Sequence, residues 1–233
     1  MKQLPLAVRL KSALTFATFI QGPNEALVHS LRTRIGQSDQ APFWMWSVGG
    51  AGRSHLLQAL CHESTARGFS CVYLPLSDDQ VSVEMLEGLE QLSLVCIDDV
   101  DARIGVDVWE KALFRLYVLL QENGGNLLLS AGVPPAGLSV QLKDLLSRFQ
   151  ASEIWHLHPL TESDQSAALA VRAQQLGLSL SEPVRAYIRT HAPRELAALC
   201  DLLDELDTKA LAEQRAITVA MAVESIPPDR NRP

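Results

Sequence analysis

Three glycines, a guanidinium and a hydroxyl stand together in Gly49-Gly50-Ala51-Gly52-Arg53-Ser54, with His55 next. These residue types in this order suit phosphate binding. Glycine lets a backbone turn with positive φ and bring its N–H groups close to oxygens. A helix starting at the end of the turn adds its dipole. Arg53 would keep a positive charge near a β-phosphate, and the Ser54 hydroxyl would sit on Mg²⁺. The usual pattern is G-x-x-x-x-G-K-[ST], and the chain departs from it at Ser47, in place of the first glycine, and at Arg53, in place of the lysine. A glycine-rich turn with no ligand has the same local pattern. A second feature weighs against that: LSLVCI runs into Asp98 and Asp99. Carboxylates at the carboxyl end of a buried strand stand where open α/β sheets bind ligands. Asp98 would hold Mg²⁺ through water, and Asp99 would orient an attacking water.

Such groups need a scaffold of alternating strands and helices. Continuous apolar runs bounded by Pro or Gly predict buried parallel strands at residues 43–48, 70–75, 92–97, 127–131 and 153–157. Helical spacing predicts helices at 24–35, with Asn24 as cap, at 53–66 and at 107–122. The expected fold is α/β: a parallel sheet with flanking helices. Beyond residue 160 the pattern turns helical, at 162–176, 182–191 and 194–211, with one weak strand at 216–219. The expected domains are a tail at 1–12, a nucleotide-binding α/β domain at 13–159 and a small helical domain at 160–233.

Composition narrows the function classes. The chain has 233 residues, 47% of them hydrophobic, so a sizeable core is available. Twenty Lys and Arg face 27 Asp and Glu, a net charge of −7, which disfavours autonomous binding to a DNA backbone. Cys61, Cys71, Cys96 and Cys200 fit no zinc spacing and read as buried thiols. His156 and His158 alternate on a strand with no metal-ligand partner spaced to them, and Trp44 and Trp46 read as core. No apolar run spans a bilayer and no signal peptide is visible, so a reducing cytoplasm is expected.

The order of motifs resembles the AAA+ ATPases, and within them the DnaA-like branch. TFATFIQGPNEALVHSLR is similar to the segment that opens the DnaA ATPase domain, where Phe16, Phe19, Ile20 and Gly22 would wall an adenine pocket. GGAGRSHLLQAL resembles the phosphate loop and its helix, and VCIDDVD the acidic strand. The resemblance makes Ser130 the sensor 1 residue near a γ-phosphate, Arg148 in LLSRF the arginine finger, and Arg194 in APRELAAL the sensor 2 residue of a helical lid. QLPLAV resembles the peptide with which partners dock on the DNA polymerase sliding clamp, through Gln3, Leu4 and Leu6. The chain stops before a DNA-reading helix-turn-helix could form, so DNA is expected only indirectly, through the clamp. The resemblance therefore implies ADP or ATP with Mg²⁺ at Gly49 to His55, weak turnover because of Arg53, and self-association. It also implies a regulatory role: stimulating ATP hydrolysis by DnaA through Arg148 in trans, turning DnaA-ATP into DnaA-ADP.

Three other readings fit part of the pattern. A helicase loader of the same class would bind a replicative helicase and single-stranded DNA, and would show salt-sensitive DNA affinity without clamp. A P-loop kinase would need a basic substrate lid and would phosphorylate a metabolite. A scaffold with a vestigial pocket would show no thermal response to nucleotide.

Overall fold

The computed structural model describes residues 10–11, 13–38, 41–178, 180–192 and 196–226. Gln3, Leu4, Leu6 and Arg194 lie outside the described residues. The chain divides into two compact units, Met1–Pro159 and Leu160–Pro233.

The first unit is built on five parallel strands: β1 (Phe43–Trp46), β2 (Cys71–Pro75), β3 (Leu94–Asp98), β4 (Asn126–Ala131) and β5 (Glu153–His156). Their order is β2-β3-β4-β1-β5. Helices α1 (Glu25–Thr33), α2 (Arg53–Ala66), α3 (Asp107–Glu122) and α4 (Lys143–Gln150) flank the sheet. The FWMW run explains the layering. Successive side chains of a strand point to opposite faces. Phe43 and Met45 join Leu27, Val28 and Leu31 of α1 and Leu56, Leu57 and Leu60 of α2 in one buried cluster. Trp44 joins Trp109, Leu113, Leu116 and Leu120 of α3 and Leu145 and Phe149 of α4 in the other. Trp44 is fully buried, with its ring centroid 5.0 Å from that of Phe149, and its indole N–H donates to the Val133 carbonyl at 3.2 Å. A strand covered on both faces must be apolar throughout.

The expected parallel sheet with flanking helices is found, and its edges shift for physical reasons. β1 stops at Trp46, two residues short of the expected end, because Ser47 and Val48 already belong to the loop. β3 starts at Leu94, two residues late, because residues 89–91 form a turn of 3-10 helix. Asn24 sits at the N-cap of α1 but makes no capping bond with its side chain. Its amide instead pairs with the backbone of His158, donating to the carbonyl at 2.9 Å and accepting from the N–H at 2.8 Å. Helix α4 has no separate place among the elements read from periodicity.

The second unit contains α5 (Glu162–Gln175), α6 (Glu182–His191), α7 (Leu196–Glu213) and α8 (Val219–Ser225). Thr161 and Asp164 form a reciprocal capping box on α5. Arg172 pairs with Asp204, joining α5 to α7. Val184, Leu202, Leu206, Ile217, Met221 and Ala222 make the core. The weak strand expected at 216–219 is not formed: Thr218 accepts a bond from the Met221 N–H at 3.3 Å and starts α8. A β-branched run reads as a strand by propensity, but Thr is also a helix cap, and Met221 and Ala222 of the helix are buried.

Candidate functional site

The carboxyl ends of β1, β3 and β4 meet at one level of the sheet. Pro75 of β2 is in register with Asp98 of β3, and Met45 of β1 with Ser130 of β4. The Ser47 N–H donates to the Ala131 carbonyl at 3.2 Å, so the glycine loop leaves the sheet beside the end of β4. Gly50 and Gly52 take φ of 78° and 103°, the left-handed region that L side chains rarely enter. Gly52 is also the N-cap of α2 and supplies no capping side chain. The first bond of the helical ladder runs from the Leu56 N–H to the Gly52 carbonyl at 3.1 Å. The amides of Arg53, Ser54 and His55 precede that ladder and lie at the positive end of the helix dipole. Ser54 is exposed, and its hydroxyl is within hydrogen-bonding reach of the Tyr73 hydroxyl.

Arg53 does not extend away from the loop. Its Nη1 donates to the Ser47 carbonyl and its Nη2 to Asp99 Oδ1 at 2.7 Å. Two polar atoms here are buried and unpaired among the described residues, the Ser47 hydroxyl and Arg53 Nε. Orphaned buried donors are rare and costly. Together with the leading amides of α2 they fit a polyphosphate.

Asp99 is held on every side. Its backbone has φ of 52°, unusual for a residue other than glycine. Oδ2 accepts from the Ser77 hydroxyl at 2.8 Å, and the N–H donates to Ser130 Oγ at 3.1 Å. Asp98 is 1% exposed; Oδ2 accepts from the Tyr73 hydroxyl at 2.7 Å and Oδ1 from the Ser130 hydroxyl. Burial, reinforced by the Asp98 charge, pushes the Tyr73 phenol well above its ordinary value, so it remains a donor. Each Asp98 oxygen keeps a lone pair beyond these bonds, which leaves room to accept from a metal-bound water. Ser130 therefore touches both aspartates.

Phe19 packs on the loop: a Cβ built on Gly52 would lie 3.0 Å from its ring. Its ring also meets that of His55 edge-on, centroids 5.2 Å apart. His55 Nε2 lies 2.9 Å from the Thr15 carbonyl oxygen and 3.2 Å from Thr18 Oγ1, tying the segment before α1 to the first turn of α2. Phe16 faces elsewhere. It lines a recess of about 410 Å³ with Thr15, Arg32, Ala59, His62 and Glu63, on the later turns of α2. The Arg32 guanidinium lies 5.3 Å from the centroid of its ring.

Arg148 is not part of this cluster. It occupies the last turn of α4, exposed, with its guanidinium 5.6 Å from the centroid of the Tyr117 ring on α3. Glu110 of α3 is 1% exposed and fixes the approach to α4. Its carboxylate accepts from the N–H groups of Gly105 at 2.8 Å, Gln141 at 3.0 Å and Leu142 at 2.7 Å. His156 stacks on Trp46 with centroids 4.1 Å apart, and no cluster of metal-ligating side chains occurs among the described residues.

Tyr73, Ser77, Thr18 and Glu110 have no counterpart in the sequence reading. A hydroxyl-bearing aromatic inside the apolar run SCVYLP hints at a buried partner. Naming Asp98 as that partner requires the strand order. Ser77 and Thr18 carry no signal at all.

A model of the bacterial DnaA ATPase domain matches residues 10–155, and a model described as Hda, lid domain, matches residues 162–223. Domain III of the replication initiation protein DnaA from Thermotoga maritima superposes with a TM-score of 0.75 at 20% identity, over 94% of this chain and 98% of that one. AMPPCP-bound DnaA from Aquifex aeolicus gives 0.66 at 19% identity, over 89% and 69%. A DnaA bound to AMPPCP and single-stranded DNA gives 0.65 at 22% identity, again over 89% and 69%. At these identities the structures show a shared fold. Among the described residues no helix is long and apolar enough to cross a membrane.

Proposed function

The chain belongs to the bacterial DnaA ATPase family, and from that premise we propose that it is a nucleotide-held regulator of DnaA. It takes ADP or ATP at the glycine loop, docks on the sliding clamp through Gln3, Leu4 and Leu6, and presents Arg148 to the ATP site of DnaA. The observation that carries this reading is the division of labour between two guanidiniums. Arg53 is turned inward onto Ser47 and Asp99, while Arg148 is exposed on a different helix. Adenine nucleotide is the ligand of the matching DnaA structure from Aquifex aeolicus, where AMPPCP is bound.

Within the chain's own site, the amides of Gly50, Ala51, Gly52, Arg53, Ser54 and His55 bind the phosphates, and Phe19 and His55 close the side toward the base. Mg²⁺ would be held by Ser54 directly and by Asp98 through water, supplying charge neutralisation at the phosphates. Arginine is planar and cannot reproduce the point contact of a loop lysine, so intrinsic turnover is poor. The resemblance gives Arg194 the sensor 2 role of the lid. In trans, a finger arginine offsets charge that develops on the transferred phosphoryl group, worth about 10³- to 10⁵-fold in GTPases. Self-association through the finger-bearing face accompanies this role.

The test is stimulation of ATP hydrolysis by DnaA in the presence of DNA-loaded clamp. Arg148→Ala should bind ADP and clamp normally and lose stimulation. Deleting Gln3 to Leu6 should abolish clamp capture. Full stimulation by Arg148→Ala, or salt-sensitive single-stranded DNA binding without clamp, would shift the assignment to a helicase loader.

A further inference from the structure

We propose that Asp99 acts as a counter-ion that competes with nucleotide phosphate for Arg53, and so lowers the affinity of the site for ADP. The inference rests on the reading of the glycine loop as a nucleotide site. An acidic residue at this strand end would ordinarily be given the task of orienting an attacking water. The geometry points to another task. Asp99 Oδ1 holds Arg53 Nη2 at 2.7 Å while Nη1 of the same side chain is tied to the Ser47 carbonyl, so the guanidinium spans the base of the loop. Oδ2 is taken by the Ser77 hydroxyl and the backbone N–H by Ser130. The carboxylate is thereby aimed at Arg53 from a left-handed backbone with φ of 52°.

The ion pair is well shielded, with 15% of the Arg53 and 28% of the Asp99 side chain exposed. A shielded pair stabilises the ligand-free state, and a phosphate must replace that stabilisation before it gains from the guanidinium. When the competent arrangement is only a fraction of the population, apparent affinity falls by that fraction. Removing the carboxylate leaves Arg53 without its charge partner, and a bound diphosphate then supplies one. Asp99 is thus a determinant of affinity acting through Arg53.

The experiment is calorimetric titration of the full chain with ADP. Asn tolerates the left-handed conformation and keeps an acceptor for Ser77, so Asp99→Asn removes the charge and little else. It should tighten ADP binding about fivefold, the scale of a partly shielded ion pair. Asp99→Gly, which also accepts that backbone, should tighten as well and covers the case in which the Asn variant folds poorly. In an Arg53→Gln background the same Asp99→Asn change should have an effect of under about twofold, because the competition has lost its object. Unchanged or weaker ADP binding in both Asp99 variants overturns the proposal, as does tightening that persists without Arg53. Absence of ADP binding in the parent chain removes the nucleotide-site reading itself, which separates the two failures.

Discussion

Replacing Glu110 tests whether the approach to α4 is held by one buried carboxylate. Glu110→Ala removes the acceptor for three backbone N–H groups, those of Gly105, Gln141 and Leu142, at 2.8, 3.0 and 2.7 Å. Bonds to a buried charged acceptor each contribute about 1.5–3 kcal/mol, and an N–H that water can reach recovers part of that. Gly105 and Gln141 are exposed and Leu142 is half-buried, so recovery is substantial. About 1 kcal/mol for each of the three partners gives a loss of about 3 kcal/mol. Glu110→Gln should be nearly as harmful, since its NH₂ would face an N–H that needs an acceptor. All four tryptophans of the chain lie in the first unit, so urea unfolding followed by tryptophan emission reads this unit without the lid. The expected result is a lower midpoint at unchanged slope. If the proposed function holds, stimulation of DnaA hydrolysis should fall in the same variants, because the entry to α4, the helix of Arg148, is no longer held, while ADP affinity stays at the parent value. A loss below about 1 kcal/mol, or an ADP affinity that drops together with stimulation, would refute the reasoning.

Gly52→Ala places a Cβ 3.0 Å from the Phe19 ring at φ of 103°; it should abolish ADP binding in a thermal-shift assay and lower the melting temperature of the ligand-free protein. Asn24→Ala leaves the His158 N–H and carbonyl without partners and should cost about 1–3 kcal/mol in urea unfolding. Leu206→Ala, at a fully buried position in the lid, should cost about 2–5 kcal/mol, read by far-UV circular dichroism of the lid helices. Burial works to raise the Glu153 carboxyl, but bonds from Trp155, Arg34 and Ser30 outweigh it and hold the group below the ordinary glutamate range. A depressed carboxyl stabilises the fold fully above the ordinary value of about 4.3 and loses that contribution as pH falls through the folded value. Glu153→Gln should therefore flatten the decline in stability below about pH 4.5; an unchanged acid limb would count against the network.

The elements that position the site were readable wherever one physical signal sufficed. Residues 107–122 carry a helical stripe with glycines at the close, residues 53–66 run from the glycine loop to Gly68, and both helices form over those residues. FWMW, in a continuous apolar run between Pro42 and Gly49, reads as a strand covered on both faces, and it forms one. Signals that depend on distant partners were silent. Asn24 looks like a cap because Asn favours caps, yet its amide pairs with His158, a residue 134 positions away. Arg53 looks like a phosphate ligand by position alone. Only the placement of β3 near β1, with β4 between them, reveals that Asp99 is in reach of its guanidinium. Thr218 shows the limit of propensity, since the same residue favours a strand interior and a helix start.

The double bond between the Asn24 amide and His158 has a mechanical consequence. Two hydrogen bonds between Asn24 and His158 close the loop of residues 24–158. Tension applied at those two residues would load that clasp before it reached the strands between them. Residues 10–23 lie outside the clasp and are tied separately to α2, Lys11 to Gln58 and Thr15 to His55.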